Sequence, residues 1–417
     1  MIRYILLIEY LELNRGEIMF KLYCRVYQGA FRLASNFMPW RKPELLEGRN
    51  SLNKVPKLLS DKGIDRVLVV TDKGITSLGL IDGLLKGLED SDIEYILYDQ
   101  TIPNPTIDNI EEALEQYKAA NCQGIIAFGG GSPMDCAKGV GARLARPKKS
   151  IPQMKGELKI RKKIPPLIAV PTTAGTGSEA TVVAVVSNSK THEKYAINDM
   201  SLIPHYAVLD PLLTVQLPPH ITSTTGIDAL THAIEAYIGK SNTSETIAYC
   251  EEAVKLIFDN LYEAYTNGAN IDARKNMQRA AYLAGMAFTR AYVGYVHAIA
   301  HTLGGFYGVP HGLANAIILP YVLTYYGKSV HKPLAELADI ARISEPADSI
   351  EQKAAMFIEA IKDLNQKMNI PAKVTGIIDS DIPLMVERAY KEANPLYPVP
   401  QILSRKDLLA LYQMIKD

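Results

Sequence analysis

Gly124 to Lys138 reads G-I-I-A-F-G-G-G-S-P-M-D-C-A-K. The first five residues are short, apolar and bounded by a turn signal, which predicts a buried strand. Three glycines follow, and they let the backbone turn sharply and approach a ligand without Cβ interference. Pro133 marks where a helix should begin, since proline suits the first helical position. A strand, a glycine turn and a helix N-terminus in succession form an anion site from free N–H groups and the helix dipole. A pyrophosphate is its natural occupant. Glycine clusters also occur as plain turns with no ligand.

Outward from this stretch the same alternation repeats. R-V-L-V-V-T-D (Arg66 to Asp72), I-E-Y-I-L-Y-D (Ile93 to Asp99) and P-L-I-A-V-P (Pro166 to Pro171) predict further buried strands. Residues 75 to 90 carry leucines and isoleucine at mixed helical spacing. Residues 107 to 120 predict a helix with Ile110, Ala113, Leu114 and Tyr117 on one face. Strands separated by helix-length segments imply βαβ units and a mainly parallel sheet. Thr181 to Ile197 differs, with two strand-like runs about a polar turn, and predicts a hairpin. Near Pro218-Pro219 strand signals almost vanish. Amphipathic patterns then follow over 223–238, 244–266, 273–288, 333–343 and 350–367. The expected architecture is an N-terminal α/β nucleotide-binding domain over residues 45–217 and an all-α helical C-terminal domain over 218–417. A second glycine- and hydroxyl-rich loop, P-T-T-A-G-T-G-S-E-A (Pro171 to Ala180), also leaves a strand end, where α/β sheets bind nucleotides. The standard dinucleotide fingerprint puts its acidic residue after the glycines. Here the best candidate, Asp72, closes an earlier strand, so any nucleotide site uses a different chain order.

Composition narrows the function class. The 417 residues are 47% hydrophobic and 22% charged, the profile of a folded chain of two or three domains. Forty-five basic residues balance forty-five acidic ones, which argues against nucleic acid or an anionic membrane as partner. Cys24, Cys122, Cys136 and Cys250 lie far apart with no C-x-x-C pair, so a reducing cytoplasm is the expected location. No apolar run reaches the roughly 20 residues that span a bilayer.

Histidine is scarce, with eight in all, yet three fall within V-H-A-I-A-H-T-L-G-G-F-Y-G-V-P-H-G (Val296 to Gly312). His297 and His301 are four apart, and His311 follows the Gly304-Gly305 pair, where the chain can turn back. T-G-I-D-A-L-T-H-A-I-E-A-Y (Thr225 to Tyr237) sets Asp228 and His232 at the same spacing. Residues four apart on a helix stack about 6 Å apart on one face, close enough to share an ion. Either pair alone could be a chance or a hydrogen-bonded core arrangement. Both pairs together with His311 point to a borderline divalent ion, iron(II) or zinc, because calcium and magnesium prefer all-oxygen cages. Five candidates exceed what one open catalytic site needs, so four are expected as ligands and the fifth has another task.

G-G-G-S-P-M-D, P-T-T-A-G-T-G-S-E, G-I-D-A-L-T-H-A-I-E-A-Y and H-A-I-A-H-T-L-G-G-F-Y-G-V-P-H-G-L-A-N-A together resemble the iron-containing (group III) alcohol dehydrogenase family, from about Leu45 to the C-terminal region. The resemblance implies an α/β domain that binds a nicotinamide dinucleotide, a helical domain, and a divalent metal in the cleft between them. It implies Asp228, His232, His297 and His311 as metal ligands, with His301 near the nicotinamide and substrate. It places Gly129, Gly130, Gly131, Ser132 and Asp135 around the pyrophosphate, Thr172 and Thr173 along the dinucleotide, and Asp72 near the adenosine ribose. A carboxylate there would repel a 2′-phosphate, which favours NAD over NADP.

The function expected is interconversion of a primary alcohol and its aldehyde by hydride transfer to or from NAD(H), with Fe2+ as the metal and Zn2+ as the alternative. His301 is the expected proton relay, since an unperturbed imidazole titrates near neutrality. A glycerol-type polyol dehydrogenase would use a similar site, typically with three protein ligands, and the fourth, His232, favours the iron type. A dehydroquinate-synthase-like lyase would need a basic pocket, and no Lys/Arg cluster adjoins the metal motifs. A homodimer or higher homo-oligomer is the expected assembly. Residues 1–44 extend beyond the family's usual start, as a dimer contact or as a cap on the N-terminal domain. The apolar run at residues 1–13 is interrupted by Arg3, Glu9 and Glu12 and fits a signal peptide poorly. A start at Met19 is expected instead.

Overall fold

The computed structural model describes residues 2–35, 37–189 and 193–417, with side chains from residue 16 onward. The chain opens with helix α1 (Ile2–Ser35). An alternating region follows: β1 (Glu44–Glu47), α2 (Val55–Asp61), β2 (Arg66–Val70), α3 (Lys73–Ser77), α4 (Asp82–Glu89), β3 (Glu94–Tyr98), α5 (Ile107–Ala119), β4 (Gly124–Gly129) and α6 (Gly131–Ala145). It continues with β5 (Gly156–Glu157), β6 (Leu167–Pro171), β7 (Val183–Asn188), β8 (Glu193–Asn198) and β9 (Tyr206–Leu209). The rest is helical: α7 (Pro219–Ile238), α8 (Ser244–Thr266), α9 (Ile271–Ala291), α10 (Tyr295–Tyr307), α11 (His311–Tyr326), α12 (His331–Ile340), α13 (Ile350–Lys367), α14 (Ile382–Ala393) and α15 (Arg405–Ile415). An α/β half followed by a helical half is the architecture expected.

Among the described residues the main sheet has six strands, ordered β1-β9-β6-β4-β2-β3, and every pairing in it is parallel. Alternation along each strand sends neighbouring side chains to opposite faces. Leu68, Val70, Ile125 and Ala127 bury against Ile110 and Leu114 of α5 and Met134 and Val140 of α6. Val67, Val69, Ile126 and Phe128 bury against Val55 and Leu59 of α2 and Leu84 and Leu88 of α4. Burial on both faces explains why these strands are near-continuous apolar runs. β7 and β8 pair antiparallel as the expected hairpin, and its turn residues 190–192 lie outside the described residues. β1 and β9 are only four residues each and carried no strand signal.

Three local expectations need correction. Helix α6 starts at Gly131, so Pro133 is its third residue rather than its first. Proline is tolerated there because the first N–H groups of a helix have no internal acceptor. Residues 75–90 form two short helices, parted at Gly79, whose φ of +65° ends the first. The break before His311 is not at Gly304-Gly305, which lie within α10. The helix stops at Gly308, which takes the left-handed φ of +67° that favours glycine.

The described chain forms two compact units. One comprises residues 39–233 and 249–289, so it contains the sheet, most of α7, and the greater part of α8 and α9. Gln278 of α9 donates to the Pro171 carbonyl, and Thr289 Oγ1 accepts the Val182 N–H at 2.9 Å. Gly177 and Gly285 touch backbone to backbone; a Cβ on Gly285 would lie 2.6 Å from the Gly177 carbonyl. The other unit comprises residues 1–38, 234–248 and 290–417. There α1 docks on the C-terminal segment. Arg25 donates to the carbonyls of Val399 and Pro400, Gln28 to those of Pro395 and Tyr397, and Cys24 is fully buried. Residues 1–38 therefore belong to the unit of helical segments, whereas residues 39–44 belong to the unit with the sheet, where Arg41 donates to the Pro204 carbonyl at 2.7 Å.

Candidate active site

In a doubly wound sheet the crevice forms where adjacent strands send their connections in opposite directions. β2 and β4 are such a pair. The chain leaves β2 towards β3 on one side and leaves β4 towards β6 on the other. Asp72 follows β2, and Gly129 to Ser132 run from the last residue of β4 into the first turn of α6, so the two expected cofactor elements meet at that point.

The geometry around the glycines is that of a cradle. Gly129 has φ +144°, and a Cβ there would collide with Pro133 Cγ at 2.7 Å and approach Asp72 Oδ2 at 3.6 Å. Cβ atoms on Gly130 and Gly131 would lie 3.5 Å from Thr173 and 3.0 Å from Thr176. The second glycine loop thus lies directly against the first. Thr172 is buried, and its N–H donates to the Gly129 carbonyl at 3.0 Å. Asp72 caps α3, its Oδ1 accepting the Ile75 N–H at 3.1 Å. Ser132 Oγ accepts the Asn104 N–H. Bare backbone and free helix N–H groups are what a pyrophosphate requires, so the residues fit a dinucleotide.

Asp135 faces the protein. Its Oδ1 accepts from Ser178 Oγ at 3.1 Å and its Oδ2 from the Val185 N–H at 3.2 Å. Burial pushes its carboxyl up to about 6, against the pull of Lys138 and these donors. Lys138, one turn along α6, is fully buried. Its Nζ lies 2.7–3.0 Å from five oxygens of Ser178, Thr181 and Val183. Desolvation lowers the Lys138 ammonium to about 8 and raises the buried Glu179 carboxyl to about 7. This polar knot ties the second glycine loop and β7 to α6.

The histidines are built on three helices. Asp228 and His232 lie on the buried face of α7, and His232 stacks on Phe288 with ring centroids 4.2 Å apart. His297 lies in the first turn of α10, and His311 opens α11. Asn315, one turn into α11, donates from Nδ2 to Nε2 of both His297 and His311, at 3.2 Å each. One ligand atom from each of Asp228, His232, His297 and His311 lies within 4.8 Å of the other three. A carboxylate and three imidazoles at that separation can share one ion, and the donor set suits iron(II) or zinc.

His301 falls outside this group of four. Its Nδ1 pairs with Glu392 Oε1 at 2.7 Å, its ring stacks on His311 with centroids 5.2 Å apart, and it is partly exposed. Tyr397 donates to the same Glu392 oxygen at 2.9 Å. The sequence reading did not single out Glu235, Asn315, Glu392 or Lys138. Glu235 and Asn315 sit inside quoted motifs at helical spacing from His232 and His311, a signal that could have found them. Glu392 lies 91 positions beyond His301, and no local pattern links them. Of the aromatic residues near the histidines, Tyr295 is a core residue, its hydroxyl bonded to Asn394 and Leu403.

The iron-containing alcohol dehydrogenase pattern matches residues 43–211, and the C-terminal pattern of the Fe-containing family matches 222–415. A 1,3-propanediol dehydrogenase of Citrobacter freundii is 37% identical over 370 residues, which is 88% of this chain and 95% of that protein. The solved alcohol dehydrogenase from Oenococcus oeni superposes with a TM-score of 0.87 at 35% identity, covering 90% of this chain and 99% of that one. A sulfoacetaldehyde reductase from Bifidobacterium kashiwanohense, solved in complex with NAD+, gives 0.79 at 28% identity over 91% and 99%. The chain belongs to the iron-containing alcohol dehydrogenase family and is an oxidoreductase that interconverts alcohol and aldehyde.

Proposed function

We propose that the chain interconverts a small primary alcohol and its aldehyde using NAD(H), with a divalent ion held by Asp228, His232, His297 and His311. The convergence of those four donors within 4.8 Å carries the reading. Fe2+ is the favoured ion and Zn2+ the alternative. Such an ion supplies positive charge that favours loss of the hydroxyl proton of an alcohol, and NAD supplies the hydride acceptor.

The chain's own residues do the rest. Gly129 to Ser132 and the α6 N-terminus hold the pyrophosphate, with Thr172 and Thr173 along the dinucleotide. Asp135 holds the second glycine loop in place from behind, through Ser178 and Val185. Asp72, beside Gly129, takes the ribose hydroxyls and disfavours a 2′-phosphate. His301 moves the proton: with Nδ1 paired to Glu392, Nε2 is the atom that exchanges it. The assembly is a homodimer or higher homo-oligomer. α1 supports this by exposing Ile18, Met19, Leu22, Val26 and Leu33. A reducing cytoplasm suits four buried free cysteines, and no described helix is long and apolar enough to cross a membrane.

The test is NADH absorbance on addition of butyraldehyde to anaerobically purified protein, with and without added iron. Iron-dependent loss of NADH supports the reading. No aldehyde-dependent loss across a set of short aldehydes, with iron bound at stoichiometry, would overturn it.

A further inference from the structure

Glu235 lies on α7 three residues beyond His232 and is only 4% exposed. Its Oε1 accepts the Val296 N–H at 2.8 Å. Its Oε2 accepts the Gly294 N–H at 2.8 Å and pairs with His297 Nδ1 at 2.6 Å. Glycine at 294 makes this approach possible, since a Cβ there would sit 2.6 Å from Oε1. Both oxygens therefore face donors. Only a carboxylate can accept all three bonds; a glutamine amide would turn its NH2 against at least one N–H whichever way it lay. With Nδ1 committed as a donor, His297 must present a lone pair at Nε2. That atom accepts from Asn315 Nδ2, which also donates to Nε2 of His311.

We infer that Glu235 is a positioning residue that locks His297 in its Nδ1–H tautomer and so keeps Nε2, which here accepts from Asn315, unprotonated and able to serve a metal ion in place of that bond. The inference rests on the proposed ligand set. The same carboxylate replaces a side-chain cap on α10, whose N-cap Gly294 has none. One group thus fixes the helix start and the ring at its third residue. A carboxylate or carbonyl behind a ligating imidazole raises its basicity and fixes its orientation, and loss of such a partner typically costs about 10- to 100-fold in metal affinity.

Two measurements test this. In the full-length Glu235→Gln protein, zinc affinity measured by competition with a chelator should fall about 10- to 100-fold. Unchanged zinc affinity beside lowered thermal stability would leave Glu235 as a helix cap only and overturn the inference. The second measurement needs no Glu235 variant. In metal-free wild-type chain labelled with 15N-histidine, the His297 signal, assigned by its absence in His297→Ala, should show the proton on Nδ1. A proton on Nε2 overturns the inference. The ligand set fails separately: Asp228→Ala and His297→Ala retaining stoichiometric zinc would reject it while leaving the tautomer readable.

Discussion

At the scale of single residues, the four donors and His301 separate by what their loss should do. Asp228→Ala or His311→Ala should abolish stoichiometric metal, read by elemental analysis of anaerobically purified protein. His301→Ala should keep the metal and slow turnover by about 10²- to 10⁴-fold, the usual worth of a positioned acid–base group. Metal loss in His301→Ala would make it a ligand. His205 offers a pH test. Its Nδ1 accepts the Leu167 N–H at 3.1 Å, and burial, with Arg41 and Lys163 nearby, lowers it to about 4. A folded-state value below the ordinary 6.5 means its stabilisation is present above pH 6.5 and lost as pH falls towards 4. The loss is at most on the order of 3 kcal/mol. Glu179, raised to about 7, works in the opposite sense over part of that range. The comparison must therefore be between proteins: between pH 7 and 5, His205→Asn should lose less stability to urea than the wild type.

At the scale of elements, the knot around Lys138 binds α6 to the loop over the glycines. Lys138→Met keeps the aliphatic stem but leaves buried carbonyls of Ser178, Thr181 and Val183 without their donor. Removing one partner of a buried charged network costs about 3–5 kcal/mol. Urea unfolding should show that loss, and NADH affinity should weaken because the cradle's wall is no longer held. The contact between Gly177 and Gly285 is as sharp. Gly177 adopts φ +60°, and its Cα would lie 3.0 Å from a Cβ on Gly285. Gly285→Ala should destabilise by about 1–3 kcal/mol through overpacking. This contact also shows where sequence reading stops. G-T-G in the loop was legible as a turn, but nothing in A-G-M of α9 marks Gly285 as the surface it rests on.

At the scale of the whole molecule, α1 is the departure from the family, whose pattern begins at residue 43. Its docked face uses Phe20, stacked on Tyr390 at 5.5 Å, with Cys24, Arg25 and Gln28. A protein beginning at Met19 keeps all of these contacts and should match the full chain in thermal midpoint and activity. Deletion through Met38 should lower the midpoint by uncovering the site of Cys24. Metal should act globally as well. An ion bound only by the folded chain stabilises by about 2.7 kcal/mol at a hundredfold excess over its dissociation constant, so a chelator should lower the thermal midpoint of the loaded protein.

Local order was already determined by the linear chain. Strand runs, glycine turns and i,i+4 donor pairs are set by backbone sterics and helical repeat, so the α/β half, the phosphate cradle and the histidine helices could be read from neighbours a few positions apart. Tertiary packing alone decided which distant groups share a hydrogen bond. Glu392 reaches His301, Glu235 reaches His297, and Lys138 gathers carbonyls about 40 positions away. The physical reason is that a buried donor or acceptor must be satisfied by whatever the fold brings within reach, and that partner leaves no trace in the periodicity of either segment.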